Sequence, residues 1–344
     1  MSELNIAELL ADQLEKLLAA EVSAESLAAL ENGTGNRALW QHIEAMGVAD
    51  VMCTGAEAAG LGWQECAELF RVLGRHAAPL PLAETLLGRR LLSQAGLAIP
   101  EGPLALVDAD ISLDDAGCLQ GAADMISWAP WATAILGIAR RGAETLLFSV
   151  AGTAVSAAAT ELHSLERAPT AAIDFSGMTP QAQAPIAAEA SIREQLAVVR
   201  ALLISGACDK VVELAVEYAN TRKQFGKPIG KFQALQHQLA EASCRAAAAE
   251  MAAKYACREL DQKQPSTGAA VAKYTASVAA REVSRIAHQV FGAIGITDEH
   301  ELHYFTRRLW QWRVDAGNER YWSGQLGARV LAAGSAQLWP SLTA

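Results

Sequence analysis

The highest local density of side chains able to hold an anion lies between Glu217 and Ala242, in EYANTRKQFGKPIGKFQALQHQLAEA. A helical pattern breaks there at Phe225-Gly226-Lys227-Pro228-Ile229-Gly230 and resumes from about Phe232, because glycine and proline are poor interior helix residues. The break frees backbone N–H groups beside Arg222, Lys223, Gln224, Lys227 and Lys231. Cations next to unpaired amides suit a phosphate or carboxylate. From spacing alone the commoner reading is a solvated helix-helix turn, since basic turns are frequent and no single residue here demands a ligand.

The rest of the chain must position that turn. Its 344 residues exceed one ordinary core and fit two or three domains of roughly 100 to 150 residues. An alanine-rich, half-apolar composition with few aromatics favours helices that approach closely. A net charge of -10 argues against general nucleic-acid binding, which needs a dominating basic surface. Cys53, Cys66, Cys118, Cys208, Cys244 and Cys257 lack a CxxC pair or metal-ligand spacing, so they read as small core residues in a reducing compartment and no metal is expected. The opening MSELNIAELLADQLEKLL carries acids within its apolar period and reads as an amphipathic helix rather than a signal peptide. With no apolar run of roughly 18 residues, the expectation is a soluble cytoplasmic protein without membrane contact.

Helical spacing covers Asn5 to Ala29, Asn36 to Met46, Gly62 to Leu73 and Ala83 to Gly96, which predicts a helical domain over residues 1–100. His76, in the segment that stops one of these helices, is expected to be an exposed loop residue rather than a catalytic one. Past Pro100 the texture changes to strand-sized runs at Leu104–Val107, Met125–Ala129, Ala132–Ile138, Thr145–Val150 and Ala171–Asp174, with a hairpin at Arg140-Arg141-Gly142. These predict a small antiparallel β domain over 101–185, whose Trp128 and Trp131 fit a sheet core better than a ring-binding face. Gly177 to Pro185 reads as a linker. Long helices follow at about 187–224, 232–262, 266–291, 298–314 and 319–334, and predict a four-helix-type bundle over 186–344. Gly206, inside the first of them, suggests close helix contact.

Tyr218, Thr221-Arg222, Gln224-Phe225-Gly226, Pro228-Ile229, Phe232-Gln233, Gln236 and Leu239-Ala240 resemble the signature of the acyl-CoA dehydrogenases. A second block, Gln289-Val290-Phe291-Gly292-Ala293-Ile294-Gly295, resembles that family's Q-x-x-G-G-x-G turn, with Ala293 in place of one glycine. Arg307, twelve residues beyond Gly295, is in register with the arginine that ends the family's next helix. The order of helical domain, β domain and bundle agrees as well. The resemblance is dense from about residue 187 and weak before it. It implies a mainly α flavoprotein that oxidises the α,β bond of an acyl-CoA thioester, passing hydride to FAD while a glutamate removes the α proton. It assigns the FAD contacts to Arg222, Gln224, Phe225, Gln289, Gly292 and Gly295, supplied in the family by different subunits, and an electron-transfer flavoprotein as electron acceptor. Guanidinium and freed amides suit two phosphates, and glycine permits close backbone approach. A dimer or tetramer follows from sites shared between subunits.

The sequence departs from the family where the chemistry is done. Nine residues after the arginine matched by Arg307, many members carry the catalytic glutamate in a Glu-Gly-Thr turn, and here stand Ala316-Gly317-Asn318. Relatives resembling isovaleryl-CoA dehydrogenase take the glutamate from the long helix instead, at a position held here by Leu196. Glu194 lies two residues away and about 200° round the helix. Asp315, Glu319 and Glu250 are alternative bases; Asp315 is the best placed, though short and one residue out of register. Trp310, Trp312 and Trp322 surround the turn in sequence, and pack the last helices or narrow an acyl pocket. The family's Ser/Thr-rich flavin segment is not evident, and Thr54 to Gly62 stands where its Pro-Glu-Glu loop would lie. Such compact chains resemble the short subunits of heteromeric acyl-CoA dehydrogenases of steroid side-chain and related catabolism, which pair with a longer subunit. The expectation is therefore an acyl-CoA dehydrogenase subunit without its own catalytic glutamate. The alternative is a structural or regulatory paralogue that does not bind flavin.

Overall fold

The computed structural model describes residues 6–55, 58–186, 191–262, 267–334 and 336. The chain forms two compact units, Met1–Ile192 and Arg193–Ala344.

The first unit opens with five helices, α1 (Ile6–Glu21), α2 (Ala24–Glu31), α3 (Arg37–Ala45), α4 (Trp63–Arg75) and α5 (Leu82–Gln94). The single helix expected over Asn5 to Ala29 is two. Ser23 accepts from the Ser26 N–H while Ser26 Oγ accepts from the Ser23 N–H, a reciprocal cap that starts α2 and ends the continuity of α1. His76 is not an exposed loop residue: it caps α4 half-buried, with Nε2 2.9 Å from the Glu15 carboxylate of α1. Ala56 and Glu57, in the loop compared with the family's Pro-Glu-Glu segment, lie outside the described residues.

Strands follow: β1 (Leu104–Leu113), β2 (Leu119–Gln120), β3 (Ala122–Ser127), β4 (Ala134–Arg141) and β5 (Glu144–Ala151), then a helical turn α6 (Gly152–Val155), β6 (Ala159–His163), β7 (Pro169–Asp174) and β8 (Ala182–Pro185). They form one sheet in the order β2-β1-β4-β5-β8 and another in the order β3-β7-β6. Val107, Ile135 and Phe148 of the first meet Ile126, Ala171 and Ile173 of the second in one core. The β4–β5 hairpin turns at Gly142-Ala143 as expected, with Gly142 at φ 59 where the first central residue needs a positive φ.

Two expectations are corrected. β1 and β4 run parallel, because the chain passes through β3 in the other sheet before it returns, a crossover that no tight hairpin makes. The stretch read as a linker is one only as far as Gln181. Ala182–Pro185 pairs with β5 as an edge strand, where a terminal proline leaves no interior ladder bond unmade. Trp128 and Trp131 are packing residues: their rings lie 5.6 Å apart beside Leu30 and Ala168. A Cβ on Gly35 would come within 2.2 Å of the Trp131 ring.

The second unit is helical: α7 (Ile192–Thr221), α8 (Gln233–Gln262), α9 (Gly268–Phe291), α10 (Leu302–Val314) and α11 (Glu319–Ala333). The expected starts at 187 and 266 fall among residues outside the description. At 1.5 Å per residue, the 30 residues of α7 span roughly 45 Å. Every residue from Leu196 to Cys208, Gly206 included, is buried, so the middle of α7 is an interior helix rather than an amphipathic one. α8 buries Ala242, Ala246, Ala249, Ala253 and Ala256, a 4-3-4-3 repeat that makes one seam against α9. Among the described residues, no helix is long and apolar enough to cross a membrane.

A Cβ on Gly152 would meet the Ala132 carbonyl oxygen at 2.0 Å, and backbone cannot yield as a side chain does. Gly152→Ala is expected to cost about 2–4 kcal/mol and Gly142→Ala, in open space, about 1–2 kcal/mol. Urea denaturation midpoints at unchanged slope measure the difference.

Candidate functional site

α7 ends at Thr221, and the chain makes a two-residue hairpin between short strands β9 (Lys223–Gln224) and β10 (Lys227–Pro228). The central pair, Phe225 at φ 51 and Gly226 at φ 79, adopts the doubly left-handed conformation that matches strand twist. Gly226 holds it at no steric cost, whereas Phe225 does so at roughly 1 kcal/mol. Phe225 is nevertheless 91% exposed, its ring edge-on to that of Phe232 at 6.1 Å. Arg222 and Gln224 are exposed on the same turn. Gln236 Nε2 donates to the Gly230 carbonyl at 2.9 Å and ties the hairpin to α8.

The second block lies at the end of α9. Phe291 stacks on Tyr218 at 4.4 Å, which joins the two blocks at one end of the bundle. Gln289 and Gly292 are exposed. Gly292 sits at φ 64 and ψ -140, with nothing within 4 Å of a hypothetical Cβ, a bare stretch of backbone that a ligand can reach. Gly295 has another reason to be glycine: a Cβ would lie 2.8 Å from the Phe291 Cβ. Ala293, the departure from the family pattern, is exposed, so its methyl group obstructs no packing. Burial holds the imidazoles of His288 and His300, which flank this turn, below the ordinary histidine value.

The third element is the turn between α10 and α11. Ala316 is left-handed at φ 53, followed by Gly317 at φ 94 and by Asn318, whose side chain caps α11. Trp322 Nε1 donates to the Ala316 carbonyl at 3.0 Å. Each carboxylate weighed as a substitute base is already engaged. Asp315 accepts from Arg200 Nε at 3.2 Å and from Gln311 Nε2 at 2.7 Å. Glu194 lies 3.3 Å from Arg329, Glu319 2.6 Å from Arg313 and Glu250 2.7 Å from Lys254. Leu196 is buried in α7. The three tryptophans do not form one cluster: Trp312 and Trp322 are buried, while Trp310 is exposed with Arg313 over its ring.

Sequence reasoning missed the charges beneath this turn. Arg200, almost fully buried, holds Asp315, and Lys273 is wholly buried in α9. Lys273 Nζ donates to the carbonyls of Arg313 and Gly317, each at 2.9 Å, and to Ser277 Oγ at 3.2 Å. Burial drives the Lys273 ammonium down to about 7, opposed by Asp315. The available signal was a lysine and a serine at i and i+4 on the buried side of an alanine-rich helix.

Residues 198–331 match the family model described as acyl-CoA dehydrogenase, C-terminal domain. The match takes in most of the C-terminal unit, and the chain as a whole has the fold of solved acyl-CoA dehydrogenases. The chain is 41% identical to the acyl-CoA dehydrogenase FadE34 of Mycobacterium tuberculosis over 120 residues, 34% of this chain and 17% of that protein. It spans less than half the length of the curated relatives it matches. Among solved structures it is similar to the ChsE4-ChsE5 complex from Mycobacterium tuberculosis, with TM-score 0.80 and 19% identity over 97% of this chain and 99% of that one. It is also similar to the Tcur3481-Tcur3483 steroid ACAD, with TM-score 0.85 and 21% identity over 96% and 98%.

The charges at the turn set two expectations. Removing one partner of the buried Arg200–Asp315 pair strands a charge, so Asp315→Ala is expected to cost about 3 kcal/mol, whereas Glu194→Ala at its half-exposed pair costs at most about 1 kcal/mol; urea denaturation measures both. For Lys273, the unfolded chain keeps its proton to about the ordinary value of 10.5 while the folded chain releases it near 7. Between these values the unfolded state binds more protons, so stability rises with pH from 7 upward; Lys273→Met removes that slope in denaturation curves taken at successive pH values.

Proposed function

We propose that this chain is one subunit of an acyl-CoA dehydrogenase-type flavoenzyme, that it contributes FAD-binding surface, and that the base for α-proton removal comes from a longer partner subunit. The observation that carries the proposal is the α10–α11 turn. The position of the family's glutamate is Ala316, and the adjacent Asp315 is committed to Arg200 and Gln311. A carboxylate held in that way is not placed to accept a substrate proton.

The residues present fit FAD. Arg222 offers a guanidinium for phosphate, the Phe225 ring offers a flat exposed face, and the open backbone at Gly292 admits a close approach beside Gln289. Gly295 keeps the turn below them tight against Phe291. FAD, when bound, supplies the hydride acceptor for oxidation of an acyl-CoA thioester. The chain's own residues anchor and orient it, and Lys223 and Lys227 add positive charge at the same hairpin. The exposed, conformationally costly Phe225 is explained by a surface completed on assembly, with this chain's own copy or with a longer subunit. The names of the two-component ChsE4-ChsE5 and Tcur3481-Tcur3483 structures support the latter. An electron-transfer flavoprotein is the expected acceptor of the electrons.

Purification of the chain alone and with the product of its neighbouring gene tests the proposal. The pair is expected to carry a flavin spectrum that candidate acyl-CoAs bleach, and the chain alone to show no bleaching. Arg222→Ala should weaken FAD retention by roughly 10- to 100-fold, the range for a hydrogen bond to a charged group. Bleaching by the chain alone would show that it has its own base. A colourless pair indifferent to Arg222→Ala would instead make it a structural paralogue.

A further inference from the structure

Lys273 is a charge-bearing group for which neither the cofactor surface nor the missing base gives a use. It is buried completely, yet it is not a stray core lysine, because all three of its hydrogen bonds run to defined acceptors. Two of these are the carbonyls of Arg313 and Gly317, four residues apart on either side of Val314, Asp315 and Ala316. The third is Ser277 Oγ, one helical turn along α9, which itself donates to the Arg313 carbonyl at 3.3 Å. The Arg313 carbonyl belongs to the last turn of α10, where helix geometry leaves carbonyls unpaired. One side chain from another helix thus bridges both ends of a turn.

We propose that Lys273 is a positioning residue: its Nζ, reaching from α9, clamps Arg313 to Gly317 and so sets the turn in which Asp315 faces Arg200 and Ala316 is left-handed. The charged groups that act on the Lys273 ammonium come from three elements: Arg200 on α7, Arg313 and Asp315 at the end of α10, and Glu319 on α11. The clamp responds to protonation. An ammonium has three N–H bonds, one for each acceptor, whereas a neutral amine has two and must accept from Ser277 or release one contact. Trp322, whose indole N–H donates to the Ala316 carbonyl, is a built-in reporter of the turn. The assignment stands on this geometry, and only its meaning for an acyl-CoA site rests on the proposed function.

The test uses the full chain carrying ¹⁵N-labelled tryptophan, with the Trp322 indole resonance identified by its loss in Trp322→Phe. In the unaltered chain that resonance is expected to titrate with a midpoint near 7 between about pH 6 and about pH 9. Lys273→Met should displace it and abolish the titration. Ser277→Ala, a smaller change, removes one acceptor of the ammonium and should move the midpoint down. An indole resonance that neither variant shifts would overturn the proposal. If Lys273→Met does not fold, an unmoved midpoint in Ser277→Ala overturns it. Neither result depends on flavin or a partner, so the failure of this assignment is distinct from failure of the flavoenzyme proposal.

Discussion

The C-terminal unit depends on α9 being small on nearly every side. Alanines at 269, 270, 272, 276, 279 and 280 let α8, α10 and α11 approach it, and Gly268 meets the Ala256 backbone of α8 where a Cβ would be only 3.1 Å away. Close approach gives many weak dispersion contacts in place of a few large apolar side chains. It also explains how a lysine can be tolerated there. Four-carbon reach from a slender helix delivers Nζ to the carbonyls of the α10–α11 turn, whereas bulkier neighbours would hold that turn out of range.

From that axis the two candidate functional regions take their positions. At one end, Phe291 of α9 packs on Tyr218 of α7 and brings the exposed hairpin and the Gly292 turn to the same end of the bundle. In the N-terminal half of α9, Lys273 and Ser277 hold the turn at Ala316. The regions differ in character. The first is exposed and rich in cations, with strain at Phe225 and an edge contact to Phe232 as the packing that ring makes among the described residues. The second is a partly exposed turn that rests on the buried side chains of Lys273, Ser277 and Arg200, with its carboxylates paired. This contrast, an exposed cationic surface at one region and internally paired charges at the other, is what the proposed function draws on.

Much of the architecture was legible because it rests on local rules. Proline and glycine at 226–230 stop one helix and alanine spacing after Gln233 starts the next, so the hairpin and α8 lie within a residue or two of their expected places. Strand runs rich in β-branched and aromatic residues, such as Thr145 to Val150, were equally plain. Where the reading failed, the deciding term was long-range or small. The Ser23–Ser26 cap is two hydroxyls within an apolar period, and β8, Ala-Gln-Ala-Pro, is an edge strand with almost no hydrophobic signal. The parallel β1–β4 pairing depends on where the chain travels between the strands, which no window of residues contains.

By itself the sequence determined most of the helical and strand segments, the motif residues Arg222, Phe225, Gln289 and Gly292, and the absence of glutamate at 316, all properties of residue type and spacing. Tertiary structure decided what the remaining charges do. Asp315, Glu194, Glu319 and Glu250 each looked available in one dimension, and each is engaged by a cation. Only one of those partners, Lys254, stands within the same helical turn as its acid. Lys273 and Arg200 read as ordinary helix residues until burial removed them from water. A charge in a low-dielectric interior must find partners wherever the fold places them, and distances through space, not along the chain, determine which partners those are.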